Sequence, residues 1–348
     1  MRTAADVPLA PLSTLGVGGR ARALWTLERT DDVVEALRQE PDAFVLGGGS
    51  NVVFADAGVA GTVLHVAMRG VSARVVGDPR GDRMRYSVRA GEPWDAFVER
   101  TIMDGCAGLE CLSGIPGTVG GTPIQNVGAY GREVSEHIVS VDVVDRRTAA
   151  LSTVSADACA FAYRTSRFKT RADSVVVDVC FELARSAASQ PIRYAELARA
   201  LGVAEGATAS LAAVRAAVLR LRRAKGMVID AADPESRSVG SFFTNPIVDA
   251  TTADRVQAAS GAASMPRYPQ PGGRIKLAAG WLVEQAGCKK GDALGGARIS
   301  QKHALALVNG GGAAAADIIA LARRVRDRVH ARFAVTLEPE PVLVGLSL

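Results

Sequence analysis

Aromatic residues are scarce in this chain, 5% of 348 residues, and histidine occurs four times. Surfaces that stack bases need aromatics interleaved with basic side chains, so the net charge of +5 does not read as a nucleic-acid interface. Long apolar runs are missing as well, and none reaches the length that spans a bilayer. The first residues, MRTAADVPLAPLSTLG, hold no apolar h-region. Neither membrane insertion nor export is therefore expected, and a cytoplasmic location is. Cys106, Cys111, Cys159, Cys180 and Cys288 are odd in number and show no CxxC spacing. All five read as reduced structural thiols, and no metal site is expected.

The apolar fraction, 48%, suits a globular protein, and the length suggests two or three domains. The positive charge rests on two arginine clusters. One comprises Arg215, Arg220, Arg222, Arg223 and Lys225, the other Arg323, Arg324, Arg326 and Arg328. The second shares its stretch with Ile318, Leu321, Ala322, Val325 and Val329 at helical spacing, which puts its arginines on a solvated face. A small polyanionic substrate fits this charge better than a polymer does.

GGGSN, Gly47 to Asn51, leaves the apolar run Phe44-Val45-Leu46 and re-enters Val52-Val53-Phe54. A dinucleotide fingerprint or P-loop would open a helix there, and Val52 occupies the place of its third glycine. What remains is a strand, a glycine turn and a second strand. Such a turn is either ordinary or an anion-binding nest of bare backbone N–H groups. The segment from Gly108 to Gly131 carries seven glycines and two prolines, which exclude a long helix or a central strand. Its recurrent apolar residues make it either a buried crossing or a second loop passing close to an extended ligand.

Elsewhere the pattern predicts a helix capped by Thr30 with Val33, Val34 and Leu37 on its apolar face, ended by Pro41. Strands are expected around Thr62–Val66, Met84–Val88, Val139–Val144 and Ser174–Phe181, with the turn-rich GDPRGDR before the second. Helices are expected over Pro93–Met103, Leu211–Arg223, Leu277–Ala286 and around Ile318, and a strand within LEPEPVLVG. The polar stretch DAADPESRSVG reads as a hinge. Runs of strands with scattered helices argue for α+β.

Seven segments then occur in one order: STLGVGG, GGGSN, IPGTVGGTPIQNVGAYG, YRTSRFK, GSFFTNP, KLAAGWLVEQ and LEPE. In this the chain resembles the UDP-N-acetylenolpyruvoylglucosamine reductase family almost end to end. The resemblance implies an FAD-binding fold of the vanillyl-alcohol-oxidase (PCMH) type. Two subdomains clasp FAD, 1–74 with the terminal strand 341–348 and 75–226, and residues 227–340 form a substrate-binding α+β domain. It also implies a monomer that uses NADPH to reduce a UDP-sugar enolpyruvyl ether for peptidoglycan synthesis. By the same resemblance Gly47, Gly48, Gly49, Ser50 and Asn51 meet the flavin pyrophosphate. Ile115, Pro116, Gly117, Gly121, Thr122, Ile124, Gly128 and Tyr130 belong to the second cofactor loop. His65, His137, His303 and His330 lie outside both glycine loops, so FAD is expected to be non-covalent.

The implied reaction leaves an enolate-like dianion, which needs a cation or acid and a proton donor. Arg164 matches the family's catalytic arginine, Ser241 its proton donor and Glu340 its carboxylate, which burial would favour in the protonated form. Pro341 and Val342 depart from the family's usual residues after that glutamate, and Glu338 is its rival. Tyr194 matches a tyrosine closing over the diphosphate, which assigns the chain to the longer, type I branch. Tyr163, Lys225, Asn245, Tyr268, Lys276 and Gln285 match other substrate positions, with Arg274 an alternative to Lys276. Two rival readings stand beside this one: another flavin enzyme of the same fold, and a non-catalytic basic nucleotide- or nucleic-acid-binding protein.

Overall fold

The valine-rich run that starts at Ser174 opens a twelve-residue strand, Ser174–Arg185, buried on both faces over most of its length. In the computed structural model, which describes residues 1–77 and 82–348, this strand lies inside an antiparallel sheet. Ile138–Asp145 pairs with one side of it and Arg83–Arg89 with the other, and Leu151–Ser155 and Val71–Val76 lie beyond them. Most of the GDPRGDR turn, residues 78–81, lies outside the described residues. The helix Trp94–Met103 buries Trp94, Phe97, Val98 and Thr101. Phe97 meets Phe181 at 5.1 Å and Tyr86 at 5.5 Å between ring centroids. Aromatic pairs of this kind add about 1 kcal/mol each beyond their buried area. The Trp94 indole N–H is satisfied by the carbonyl of Leu112, at 3.0 Å.

This sheet belongs to the first of two compact units, which comprises Met1–Val7, Ala21–Gly49 and Ala60–Ala224. The unit also holds, but for the end residues Pro8, Arg20 and Val59, a sheet of Arg2–Pro8, Arg20–Leu27, Val59–Val66 and Phe44–Leu46 in that order, the last two parallel. The helix Thr30–Gln39 buries Val33, Ala36 and Leu37 as its periodicity predicts, but Thr30 does not cap it. The cap works backwards from the third position. The Asp32 carboxylate accepts from the backbone N–H groups of Glu28, at 2.9 Å, and Arg29, at 3.0 Å.

The second unit comprises Pro8–Arg20, Ser50–Val59 and Lys225–Leu348. Its core gathers Phe242, Phe243, Leu277, Leu282, Ile318, Leu321 and Val325. The helix Ala315–Phe333 turns its apolar stripe inward, and Arg323 and Arg328 stand exposed on the opposite side. The strand Val342–Val344 pairs in parallel with Val52–Phe54. The stretch 230–240 is no loose hinge. Glu235, 6% exposed, accepts from Arg298 and Ser300, both at 2.5 Å, and from the Gln301 backbone at 2.9 Å.

Candidate active site

In the first unit two glycine loops meet backbone to backbone. A Cβ on Gly48 would lie 2.6 Å from the Cα of Gly117, and one on Gly47 3.0 Å from the Thr118 hydroxyl. Gly48 is therefore required by the neighbouring loop itself, which no local pattern could show. The second loop is held against the unit by its main chain. The Gly117 carbonyl accepts from Trp94 N–H at 3.1 Å, Val119 N–H donates to Glu92 at 2.9 Å, and Gly120 N–H to Ala90 at 2.8 Å. Asp95 anchors the start of this loop through Gly114 N–H and takes a two-pronged bond from Arg215, at 2.7 and 2.9 Å. Burial alone would raise the Asp95 pKa, but Arg215, the Gly114 amide and Arg222 hold it below the usual carboxylate range.

The segment YRTSRFK forms a tight turn docked on the second loop. Ala162 and Thr165 exchange backbone hydrogen bonds at 3.1 Å, leaving Tyr163 and Arg164 at the corner. Arg164 sits in the left-handed region at φ 54°, a conformation costing a non-glycine residue about 1 kcal/mol or more. Three bonds fasten the turn at alternate loop residues. The Ser166 hydroxyl donates to Ile124 at 2.7 Å, the Asn126 amide to Ala162 at 3.2 Å, and Arg164 Nη2 to Gly128 at 2.8 Å. The Arg164 guanidinium also lies 5.6 Å from the centre of the Tyr163 ring.

Gly128–Ala129 and Arg132–Glu133 then form a hairpin. Its two-residue turn has positive φ at Tyr130 (51°) and Gly131 (77°), the geometry that suits the twist of a hairpin. This presents the Tyr130 ring edge-on to Tyr194, centroids 5.5 Å apart. Tyr194 is 41% exposed and precedes the helix Ala195–Leu201.

In the second unit Ser241 ends the strand Ser238–Ser241, paired opposite Ala306. The register slips between Ser238 and Ser241, where Gly240 has φ 74°. An irregularity of this kind re-aims the following side chain. The Phe242 carbonyl accepts from the backbone N–H of Glu340 at 2.9 Å, and Phe243 bridges to Pro339. The segment after Ser241 thus runs beside the segment that carries Glu340. Pro341 costs no bond here, since Glu340 donates to Phe242 on one side of it and Val342 to Asn51 at 3.0 Å on the other. The Asn51 amide also donates to the Glu340 carbonyl, at 3.3 Å. Glu340 is half-buried and Glu338 exposed.

Tyr268 and Lys276 face each other across the pair Arg267–Gln270 and Arg274–Leu277, the ammonium 5.9 Å from the ring centre. Arg274 is turned to the carbonyl of Ile247, at 2.9 Å. Asn245 accepts from Ala279 N–H at 2.9 Å, so it caps the helix Ala279–Gln285 that ends at Gln285. Thr122 is buried; its hydroxyl donates to Val119 at 2.8 Å, its N–H donates to the same carbonyl at 3.0 Å, and its own carbonyl accepts from Val127 N–H at 3.0 Å. Lys225 is half-buried just past the helix Leu211–Ala224.

Sequence reasoning missed Asn126, Gly240 and Arg222. Asn126 is 1% exposed at φ 47°, and its side chain also binds Glu133 at 2.7 Å and Ser135 N–H at 3.2 Å. The signal was an asparagine inside a glycine-rich loop, a residue that tolerates φ above zero. Arg222 is 9% exposed. Burial pushes its guanidinium down to about 10, with Tyr130 and Asp95 opposing that shift and Arg164 adding to it. It stays cationic at neutral pH. Burial raises the pKa of all five thiols, that of Cys111 to about 12 and that of Cys159 to about 11, so none is poised as a nucleophile.

Residues 233–344 match the family model of the UDP-N-acetylenolpyruvoylglucosamine reductase C-terminal domain, and residues 21–153 that of an FAD binding domain. The UDP-N-acetylenolpyruvoylglucosamine reductase of Thermobifida fusca is 51% identical over 354 residues, 99% of each chain. The chain belongs to the UDP-N-acetylenolpyruvoylglucosamine reductase family. The reductase of Mycobacterium ulcerans is 50% identical over 363 residues, covering all of this chain and 96% of its own. The crystal structure of the Thermus caldophilus reductase aligns over 99% of each chain with a TM-score of 0.68, at 27% identity. As a member of this reductase family the chain is an FAD-dependent oxidoreductase of α+β fold. The second glycine loop leaves room that suits that cofactor: a Cβ at Gly121 would meet nothing within 4 Å.

Proposed function

We propose that this chain reduces the enolpyruvyl ether of UDP-N-acetylglucosamine to UDP-N-acetylmuramate for peptidoglycan precursor synthesis, in the cytoplasm, with NADPH as hydride donor. Family membership along the whole chain supports the reaction. The observation that carries the residue assignment is the docking of the Arg164 turn onto residues 124–128 of the second glycine loop. Residues 47–51 and 115–130 would hold FAD, which when bound accepts hydride from NADPH and delivers it to the substrate double bond. The match of residues 21–153 to an FAD binding domain supports assigning the two cofactor subdomains to 1–74 and 75–226, with 227–340 for substrate.

Arg164, fixed by Gly128 and by its own strained turn, holds the substrate carboxylate and the negative charge that develops on it. Its orientation is set before substrate arrives, so little reorganisation is needed at the moment of reaction. Ser241 donates the proton to the substrate carbon, aimed by the irregularity at Gly240. Glu340, whose backbone is tied to Phe242 and Asn51, stands beside that serine and polarises the enolate as the protonated acid. Tyr194 binds the diphosphate, and Lys225, Asn245, Tyr268, Lys276 and Gln285 receive the phosphates and sugar.

The two half-reactions separate these roles. Ser241→Ala should leave NADPH bleaching of the flavin near the wild-type rate and slow reoxidation by the enolpyruvyl substrate ~10²-fold or more. Equal slowing of both half-reactions would make Ser241 a structural residue.

A further inference from the structure

The segment that carries Tyr194 is bolted down on both sides. Ile192 is 1% exposed, within a cluster that includes Leu197, Val214 and Val218. Its N–H donates to Ala207 and its carbonyl accepts from Gly206, both at 2.8 Å. Pro191 has no N–H, so its carbonyl is its one backbone hydrogen-bonding group, and Arg132 Nη2 donates to it at 2.8 Å. The other arm of Arg132 reaches Glu136 at 2.9 Å, and Arg193 reaches the same carboxylate at 3.4 Å. Arg132 is only 4% exposed. Placing a cation there is costly unless its donors are used, and one of them goes to the main chain three residues before Tyr194. Arg132 also lies on the hairpin whose turn sets the Tyr130 ring against Tyr194. One short hairpin therefore fixes both the backbone and the ring of the segment.

We propose that Arg132 is a positioning residue for substrate binding: it clamps the main chain at Pro191 so that Tyr194 is presented, already ordered, to the substrate diphosphate. This rests on the reading of Tyr194 as a diphosphate-binding residue. An ordered presentation removes an entropic cost from binding and leaves the chemical step alone, so the effect falls on affinity.

The test uses flavin-loaded enzyme, with substrate Kd from flavin fluorescence and KM and kcat from turnover. Arg132→Met should raise Kd and KM roughly tenfold, the scale of one lost bond to a charged donor. Its kcat, flavin content and flavin reduction by NADPH should stay near wild type. Arg132→Lys, which keeps the charge and can make one of the two bonds, should recover part of the affinity; it also carries the test alone should the Met variant fail to fold. In a Tyr194→Ala background, Arg132→Met should add less than a factor of two. The same loss with and without Tyr194 would overturn the proposal, as would an unchanged Kd in both Arg132 variants while Tyr194→Ala binds weakly. An unchanged Kd in Tyr194→Ala itself would instead remove the reading of Tyr194 on which the proposal rests.

Discussion

Arg164 combines a charged side chain with a backbone that prefers glycine, and the two can be separated by substitution. Arg164→Ala and Arg164→Gly both remove the guanidinium, so both should lose turnover. Glycine alone relieves the φ of 54°, so Arg164→Gly should unfold at higher urea than Arg164→Ala, by about 1 kcal/mol. Equal stability would mean that the turn carries no strain. Gly48 poses the complementary case, in which space and not φ is the constraint. A Cβ there sits 2.6 Å from Gly117 Cα, so even Gly48→Ala should destabilise the flavin-free protein, by ~1–3 kcal/mol, besides weakening FAD binding. An apoprotein of unchanged stability would show that the clash is with the cofactor only. The motif around Arg164 was legible as a string of residues. Its φ and the loop behind Gly48 depend on tertiary partners and were not.

The unit that does the positioning is a loop locked to a turn. Ser166, Asn126 and Arg164 each supply one bond, and Ser166 and Asn126 are nearly inaccessible to water. Asn126→Ala would leave Glu133 and the Ser135 N–H without that partner, so it should cost ~1–3 kcal/mol. It should also lower kcat, because Arg164 loses part of its support. Full activity in a destabilised variant would confine Asn126 to stability. Element identities were mostly legible from periodicity: the apolar stripes of Trp94–Met103 and Ala315–Phe333 turn inward as their spacing predicts. Element ends were less so. Thr30 had the right chemistry for a cap, but Asp32 reaches the preceding N–H groups first. The polar stretch around Glu235 looked like a hinge because its partners, Arg298 and Ser300, lie more than sixty residues away.

At the scale of the whole chain, buried titratable groups set how stability responds to pH. Burial lowers the pKa of His65 from 6.5, and Arg69 and Arg2 lower it further. Burial likewise lowers that of His137, against the pull of Glu136. Both are neutral when folded, and the unfolded chain takes up protons first, so stability should fall as pH drops below about 6.5. Glu235 adds a second decline. Burial would raise its pKa, but Ser300 and Arg298 hold it below 4.5, so its contribution is complete above that value and is lost as pH falls through the lower folded one. Urea midpoints between pH 7.5 and 3.5 should show both declines. His65→Gln with His137→Gln should flatten the upper one and Glu235→Gln the lower, the latter at a cost of ~3 kcal/mol near neutrality. Slopes untouched by these changes would assign the pH response to other groups.

The central claim is that FAD on this chain passes reducing equivalents from NADPH to an enolpyruvyl UDP-sugar. Anaerobic stopped-flow absorbance of the purified protein tests it directly. NADPH should bleach the oxidised flavin bands, and UDP-N-acetylglucosamine enolpyruvate should then restore them in one turnover, with UDP-N-acetylmuramate formed in equal amount. A flavin that NADPH leaves oxidised, or a reduced flavin that only oxygen reoxidises, with peroxide as product, would contradict the account.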